Sequence, residues 1–262
     1  MTRMSVLFTL VIGISGCGDD SASTDSGTTD MSVSHDQSVS PDMASTADMN
    51  FPRITITGTI TKQGTMPLAP LAGVQVCVYP STTGCATTAA DGTYSLMVPA
   101  TGPSGVTFTL NGYVPVLQEI TPPEPIGVDF QLIPAATAGI LATLLHISLD
   151  ETKGLFATIA VDPGTGMPLS GVSFTVTPAP GAGTGPYYVS GGFPDPQATA
   201  TSADGSALYL NVPVGDYTVT ATLAGKVCGP LPPRAWVKDQ LTAKATAVAG
   251  VLTGFSFACQ AP

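Results

Sequence analysis

Charge is scarce in this chain of 262 residues, and positive charge is the scarcer kind. Only 10% of the residues are charged, and 8 Lys and Arg stand against 18 Asp and Glu, which gives a formal net charge of −10. An average protein has about 25% charged residues. With so few cations the chain cannot present a basic surface that neutralises phosphates, so nucleic-acid binding is excluded.

Histidines and catalytic motifs are also lacking. The two histidines are His35 and His146, and neither is accompanied by a Ser, Cys or zinc-binding motif. No phosphate-binding or dinucleotide-binding fingerprint is present either. The sequence therefore predicts no catalytic residues, no metal site and no cofactor. A hydrolase that uses two carboxylates is one further hypothesis, although most Asp and Glu after residue 50 are expected in turns.

No hydrophobic run is long enough to span a bilayer, which needs about 20 apolar residues. The apolar run from Met4 to Ile14 follows Arg3, is too short to span, and suits the core of a signal peptide covering residues 1–16. It ends in Ile14-Ser15-Gly16-Cys17, which resembles the bacterial lipobox. The resemblance implies that Cys17 is lipidated and becomes the first residue of an exported protein, held in the outer membrane or at the cell surface. The alternative is an ordinary secretory signal with an incidental cysteine.

Residues 17–52 differ in composition from the rest of the chain. Between residues 18 and 50 there are seven Asp and no Lys or Arg, among mostly Ser, Thr, Met and Ala. Such a segment cannot bury enough apolar surface to offset its ordering entropy, so we expect a disordered acidic tether. The spacing of its carboxylates does not match a calcium-binding loop.

The rest of the chain contains an internal repeat, rich in glycine and proline. Three pairs of segments match: 70–76 with 168–174, 90–99 with 203–213, and 109–112 with 222–225. The offset changes from 98 to about 113, which indicates an insertion of about 15 residues within 178–197. Apolar residues alternate with Thr and Ser in both copies, which predicts short half-buried strands, and Asp91-Gly92 and Asp204-Gly205 predict tight turns.

These motifs resemble the carboxypeptidase regulatory-like domain, a small transthyretin-like β-sandwich. The first copy has its P-L-x-G-V-x-V segment at 70–76, its T-x-x-D-G-x-Y-x-L-x-V-P segment at 88–99, and Gly112-Tyr113. The second copy has Ala207 and Lys226 where the two tyrosines would stand. The resemblance implies an all-β fold of two tandem transthyretin-like/Ig-like sandwiches without peptidase activity: a first repeat at 53–134 and a second repeat at 155–262.

A linker at 135–154 separates the repeats. Leu141, Leu144, Leu145 and His146 have helical spacing, which predicts a short helix near 135–147.

The cysteines other than Cys17 are expected to pair in an exported chain. We predict the disulfides Cys77–Cys85 and Cys228–Cys259, one in each repeat, although four cysteines allow three connectivities.

Aromatic residues in the second repeat are the candidate ligand-binding group. They are Tyr187, Tyr188 and Phe193 in the predicted insertion loop, together with Trp236. Exposed aromatic rings stack on sugars, but they also cover the ends of sandwiches.

The sequence thus favours a non-catalytic, lipid-anchored envelope or cell-surface protein with structural, adhesive or protein-contact roles. The alternative is a carbohydrate-binding surface lipoprotein. Its partners would be the membrane, reached through the lipid, and an envelope protein or polysaccharide.

Overall fold

The computed structural model describes residues 52–100, 102–120, 127–232 and 236–262. Within these ranges the fold is all-β apart from one short helix, as predicted. The predicted signal peptide, Cys17 and the tether up to residue 51 lie outside the described residues. All described residues belong to one compact unit.

The strands of the first repeat precede the helix, and those of the second repeat follow it. In the first repeat they are β1 (Arg53–Lys62), β2 (Ala69–Pro70), β3 (Gln75–Tyr79), β4 (Ala86–Thr87), β5 (Thr93–Pro99), β6 (Ser104–Thr109), β7 (Val116–Ile120) and β8 (Phe130–Leu132). The helix is α1 (Ala135–Leu144). In the second repeat they are β9 (Gly154–Val161), β10 (Ser173–Thr177), β11 (Tyr187–Ser190), β12 (Phe193–Asp195), β13 (Ser206–Val212), β14 (Gly215–Thr222), β15 (Val227–Pro230), β16 (Trp236–Val237), β17 (Thr242–Ala247) and β18 (Leu252–Gln260).

The two repeats pair their strands in the same way. In the first repeat β1 lies between antiparallel β5 and parallel β8, and in the second repeat β9 lies between antiparallel β13 and parallel β18. The opposing layers contain β3, β6 and β7 in the first repeat and β10, β14 and β17 in the second. A separate hydrophobic cluster fills each sandwich. Because apolar residues alternate along strands such as β5 and β10, one face of each of these strands contributes to a core.

A buried threonine makes the same hydrogen bonds in both repeats. Thr88 Oγ1 donates to Leu71 O at 2.6 Å and accepts from Val74 N at 2.9 Å. Thr201 Oγ1 makes the same two bonds, at the same two distances, with Leu169 O and Val172 N. The hydroxyl gives an acceptor to the buried N–H just before β3 in the first repeat and just before β10 in the second, so the repeat is visible in single hydrogen bonds as well as in topology.

The predicted Asp-Gly turns require glycine for two reasons. Gly92 has φ +77° and Gly205 has φ +64°, a region that residues with a Cβ rarely adopt. A Cβ on Gly205 would also come within 2.8 Å of Ala160 O, and one on Gly92 within 2.5 Å of Ile60 O. Each glycine therefore lets its turn approach the first strand of its repeat.

One strand joins the two repeats directly. β7 of the first repeat pairs in parallel with the first residues of β18, which creates a continuous sheet that runs through both repeats. All five residues of β7 are buried. Val116 and Ile120 belong to the core of the first repeat, whereas Leu117 and Glu119 point to the opposite face. The repeats are thus fused through a sheet, in addition to the helical connection that the sequence predicted.

Helix α1 ends earlier than the spacing of its leucines predicted. His146 was expected on the helix, but it lies beyond Leu144 with φ +56°, so the prediction was wrong for this residue. Leu141 is buried, and it faces an apolar cavity shared with Leu155 and Leu252 of the second repeat. The helix therefore covers the outer face of the sheet of the second repeat.

Both predicted disulfides are present. Cys77 on β3 is bonded to Cys85 just before β4, and Cys228 on β15 is bonded to Cys259 on β18. Cys228 and Cys259 lie directly opposite each other on antiparallel strands, with their Cα atoms 4.0 Å apart. Each repeat thus contains one covalent link.

Candidate functional site

The segment predicted as an insertion loop forms a β-hairpin. β11 pairs with β12 and, on its other side, with β13, so residues 187–195 extend the sheet of the second repeat. The turn uses Gly191 and Gly192, both with positive φ. The loop prediction was wrong because glycine and proline were interpreted as loop residues, whereas here they form the turn of a hairpin.

Tyr187, Tyr188 and Phe193 do not share one surface. Tyr188 is 3% exposed, stacks on Phe174, and its hydroxyl accepts a hydrogen bond from Phe174 N at 3.1 Å. Burial raises the pKa of the Tyr188 phenol. Tyr187 is half-buried and donates to Gly183 O at 2.7 Å. Tyr188 is therefore a core residue that closes the edge of β10.

The remaining two aromatic residues lie apart from Tyr187. Phe193 is 39% exposed and pairs with Ser190, which places it on the face of the hairpin opposite Tyr187. Trp236 is on β16, at one edge of a four-stranded sheet whose other edge is β10. Among Tyr187, Tyr188 and Phe193, whose side chains the structure describes, no two exposed rings therefore form an adjacent platform.

Carboxylates in the described residues mostly stabilise turns. Asp91 Oδ1 accepts hydrogen bonds from Thr93 N and Thr93 Oγ1, and Asp150 binds Thr152 in the same manner. These hydrogen bonds lower the pKa of both carboxyls. In the described part of the chain no three His, Cys, Asp or Glu residues are grouped so that they could hold a metal ion.

One carboxylate is an exception, and it lies where the two repeats meet. Glu119 on β7 is 0% exposed, and its Oε1 accepts a hydrogen bond from Thr246 N on β17 at 2.8 Å. Its Oε2 is buried and has no hydrogen-bond partner among the residues that the structure describes. Sequence reasoning did not identify Glu119, although two polar residues inside the run Val116–Ile120 were an available signal.

The surroundings of Glu119 come from the second repeat. Thr246 Oγ1 donates to Asp216 Oδ1 at 2.9 Å, and Lys244 Nζ lies 3.3 Å from Asp216 Oδ2. Burial raises the pKa of the Glu119 carboxyl well above its ordinary value, and the Thr246 N–H and the Lys244 charge offset only part of this effect. The carboxyl therefore favours its neutral, protonated form at this junction.

A second polar side chain crosses the same junction. Gln118 is 4% exposed, and its Nε2 donates to Gly254 O on β18 at 3.0 Å. A Cβ on Gly254 would come within 3.1 Å of Gln118 Oε1, so glycine at this position leaves room for the amide. The junction between the repeats thus combines strand pairing with two buried polar side chains that specify its register.

The apolar cavity beside α1 is lined by leucine, valine, isoleucine, alanine and proline. It offers no polar side chain that would orient a ligand, whereas ligand sites usually contain a few such groups. None of the helices in the described ranges is long and apolar enough to cross a membrane.

Comparison with known proteins finds matches among solved structures. No family model matches, and no curated protein matches by sequence. The minor pilin GBS52 of Streptococcus agalactiae is 14% identical over 79% of this chain and 96% of the pilin, with a TM-score of 0.28. The shaft pilin SpaA of Lactobacillus rhamnosus GG is 14% identical over 81% of this chain and 99% of the pilin, with a TM-score of 0.26.

Two further structures match over part of their own length. A type II cohesin–X-dockerin complex of Acetivibrio cellulolyticus is 21% identical over 30% of this chain, with a TM-score of 0.26, and the match spans 55% of that chain. The Bacillus anthracis TIE protein is 17% identical over 79% of this chain, with a TM-score of 0.26, and the match spans 34% of that chain. At these identities and TM-scores the matches assign neither a family nor a function to this chain.

Proposed function

We propose that this chain is a non-catalytic, lipid-anchored protein of the cell envelope or cell surface. It presents a rigid β body for structural, adhesive or protein-contact roles. The observation that carries this proposal is the shared strand β7, which fuses the two sandwiches through one continuous sheet. A catalytic pair of domains commonly needs a cleft that opens and closes, whereas a fused sheet holds its surfaces at fixed positions.

Export is supported by the disulfides, since such bonds persist in oxidising compartments. The anchor rests on the resemblance of Ile14-Ser15-Gly16-Cys17 to the lipobox. An acidic tether of the predicted length would span about 30 Å on average as a flexible chain. It would therefore hold the β body clear of the membrane. The division into two regulatory-like domains at 53–134 and 155–262 is part of the same proposal.

The anchor is tested by fractionating cells that express the full chain. We expect the wild-type chain in the membrane fraction and the Cys17→Ala chain in the soluble exported fraction, because no acyl chain can then be attached. Gly18→Ala is the matched control, since it keeps the cysteine and should remain in the membrane. If Cys17→Ala stayed with the membrane, the lipoprotein assignment would be refuted.

The protein-contact role is tested against the carbohydrate alternative with the full-length Cys17→Ala chain. Affinity electrophoresis in gels that contain envelope or plant polysaccharides should show no retardation. If one glycan class retarded the chain and the Phe193→Ala substitution abolished that retardation, the carbohydrate-binding hypothesis would be established instead. In anchored chains we expect a specific covalent adduct with an envelope protein after cross-linking, and diffuse labelling of many proteins would argue against a contact role.

A further inference from the structure

The second repeat covers an edge that the first repeat leaves open. In the second repeat, the outer edge of β13 pairs with β11, where Tyr187 lies opposite Leu208. Further along the same edge, Leu210 N donates to Thr184 O at 2.8 Å. The corresponding strand of the first repeat is β5, which pairs with β1 on one side. Within the described ranges no strand pairs with its other side.

The direction of the free backbone groups follows from the hydrogen bonds at the two ends of β5. Ile60 N donates to Gly92 O at 2.9 Å, and Ala100 N donates to Pro52 O at 2.8 Å. In an antiparallel pair, bonded and non-bonded residues alternate. Even-numbered residues of β5 therefore bond to β1, and odd-numbered residues direct their N–H and C=O groups outward.

Only two residues in the middle of β5 keep both outward groups available. Thr93 N already donates to Asp91 Oδ1 and Thr93 O accepts from Ala89 N, while Pro99 has no N–H. Ser95 and Met97 remain, and their positions correspond to Leu208 and Leu210 in the second repeat. Both side chains are exposed, that of Met97 by 55%.

β5 also lacks the features that usually prevent strand edges from pairing. Its sequence TYSLMVP has no charged residue, and its only proline stands at the last position. Natural edges are commonly protected by lysines, bulges or central prolines. Two copies of β5 could therefore approach without local charge repulsion, although each chain has a net charge of −10.

We propose that β5 is a self-association site, at which β5 strands from two copies of this chain pair antiparallel about Leu96. Ser95 of one copy then lies opposite Met97 of the other, and these two symmetric pairs make four backbone hydrogen bonds. A shift that places Ser95 opposite Ser95 makes only two, because Thr93 is already bonded. A shift that places Met97 opposite Met97 also makes four, because Ser95 N can then donate to Pro99 O, but it leaves the Ser95 C=O of each copy unpaired. The register about Leu96 is therefore favoured, since it pairs every outward group of Ser95 and Met97.

This inference deepens the proposed function, because it names a second copy as a partner of the displayed chain. A single added strand pair buries less area than a standard stable interface, so the dimer should be weak in solution and favoured where an anchor concentrates the copies. A hydrogen-bonded edge of another protein is the alternative occupant, and the tests below separate the two.

The register is tested by disulfide trapping in the full-length Cys17→Ala chain, in which the remaining native cysteines are bonded. An equal mixture of Ser95→Cys chains and Met97→Cys chains should form a covalent dimer under mild oxidation. Each variant alone should form several-fold less, since its thiols are not opposite each other. Equal yields in all three samples, or no dimer in any, would overturn the proposal.

A second measurement uses sedimentation velocity over a range of concentrations. Ser95→Pro removes one outward N–H from each copy, hence two of the four bonds, and should weaken dimerisation at least about tenfold. Ser95→Ala keeps the N–H and should dimerise like the parent chain. Intact disulfides and an unchanged unfolding midpoint verify the fold of both variants. If the Cys17→Ala chain stayed monomeric at the highest concentration measured while the wild-type chain was retained in membranes, self-association would be refuted and the proposed function would stand.

Discussion

The buried carboxyl at the junction makes stability depend on pH in a defined direction. Glu119 is fully buried, one of its oxygens has no hydrogen-bond partner, and burial raises its pKa well above the ordinary value of 4.5. At pH values between the ordinary pKa and the raised one, the Glu119 carboxyl is therefore protonated in the folded protein and ionised in the unfolded chain. We predict that replacing Glu119 with Gln, a neutral residue of the same shape, removes this dependence.

The sign of the effect follows from linkage. A group whose pKa is raised by folding contributes stability that is fully present below its unfolded pKa, and that contribution is lost as pH rises toward the folded pKa. In this window the free energy of unfolding of the wild type should fall, relative to Glu119→Gln, by up to about 1.4 kcal/mol per pH unit. Above the folded pKa the difference should become constant.

The assay is urea unfolding of the Cys17→Ala chain with and without Glu119→Gln, at a series of pH values from acid to alkaline with the disulfides intact. Asp91 and Asp150, whose pKa values are lowered by hydrogen bonds, contribute equally to both chains and cancel in the difference. Glu151→Gln is the matched control, since Glu151 is exposed. Parallel curves for wild type and Glu119→Gln, or a difference that grows in the opposite direction, would refute the reasoning.

Three further predictions concern the same body, each measured by urea unfolding at neutral pH. Thr88→Val and Thr201→Val should each lower the free energy of unfolding by about 1–3 kcal/mol, because each leaves a buried N–H without its acceptor; clearly unequal losses would contradict the equivalence of the repeats. Removing both Cys228 and Cys259, whose bond closes a loop with a sequence separation of 31, should cost about 3–4 kcal/mol, and no loss would show that the bond does not form. Leu117→Ala should cost about 2–5 kcal/mol, and a loss below about 1 kcal/mol would mean that β7 is not buried on both faces.

Much of the fold is encoded in local patterns that the sequence displays. Strands such as β5 and β17 expose one face and bury the other, so alternation identifies them. The Asp-Gly turns were predicted because the repeat shows them twice, and the cysteine pairs because two cysteines other than Cys17 fall in each repeat.

The features that escaped prediction depend on contacts between the repeats. β7 is buried on both faces, so it has no alternation to reveal it. Glu119 and Gln118 have partners more than 120 positions away, so their place inside the apolar run Val116–Ile120 was the only local signal of their burial. The hairpin of β11 and β12 was missed because its strands are short and its edge partner, β13, lies beyond the insertion.

The carbohydrate hypothesis depended on aromatic residues whose exposure the sequence could not decide. Tyr188 lies in a Gly- and Pro-rich segment, which is typical of an exposed loop. Its hydroxyl nevertheless accepts a hydrogen bond from Phe174 N at the edge of β10, so the residue is buried. Aromatic residues that satisfy an unpaired strand edge and those that bind sugars look alike in a sequence, and only the hydrogen-bond partner separates them.

Amide hydrogen exchange of the full-length Cys17→Ala chain measures whether β7 fuses the two repeats into one body. We predict that the amides of β7 and of Leu252–Gly254 exchange as slowly as those in the cores of both repeats, because all of them become exposed in one common unfolding event. Fast exchange in β7, together with separate unfolding of the two repeats, would contradict it.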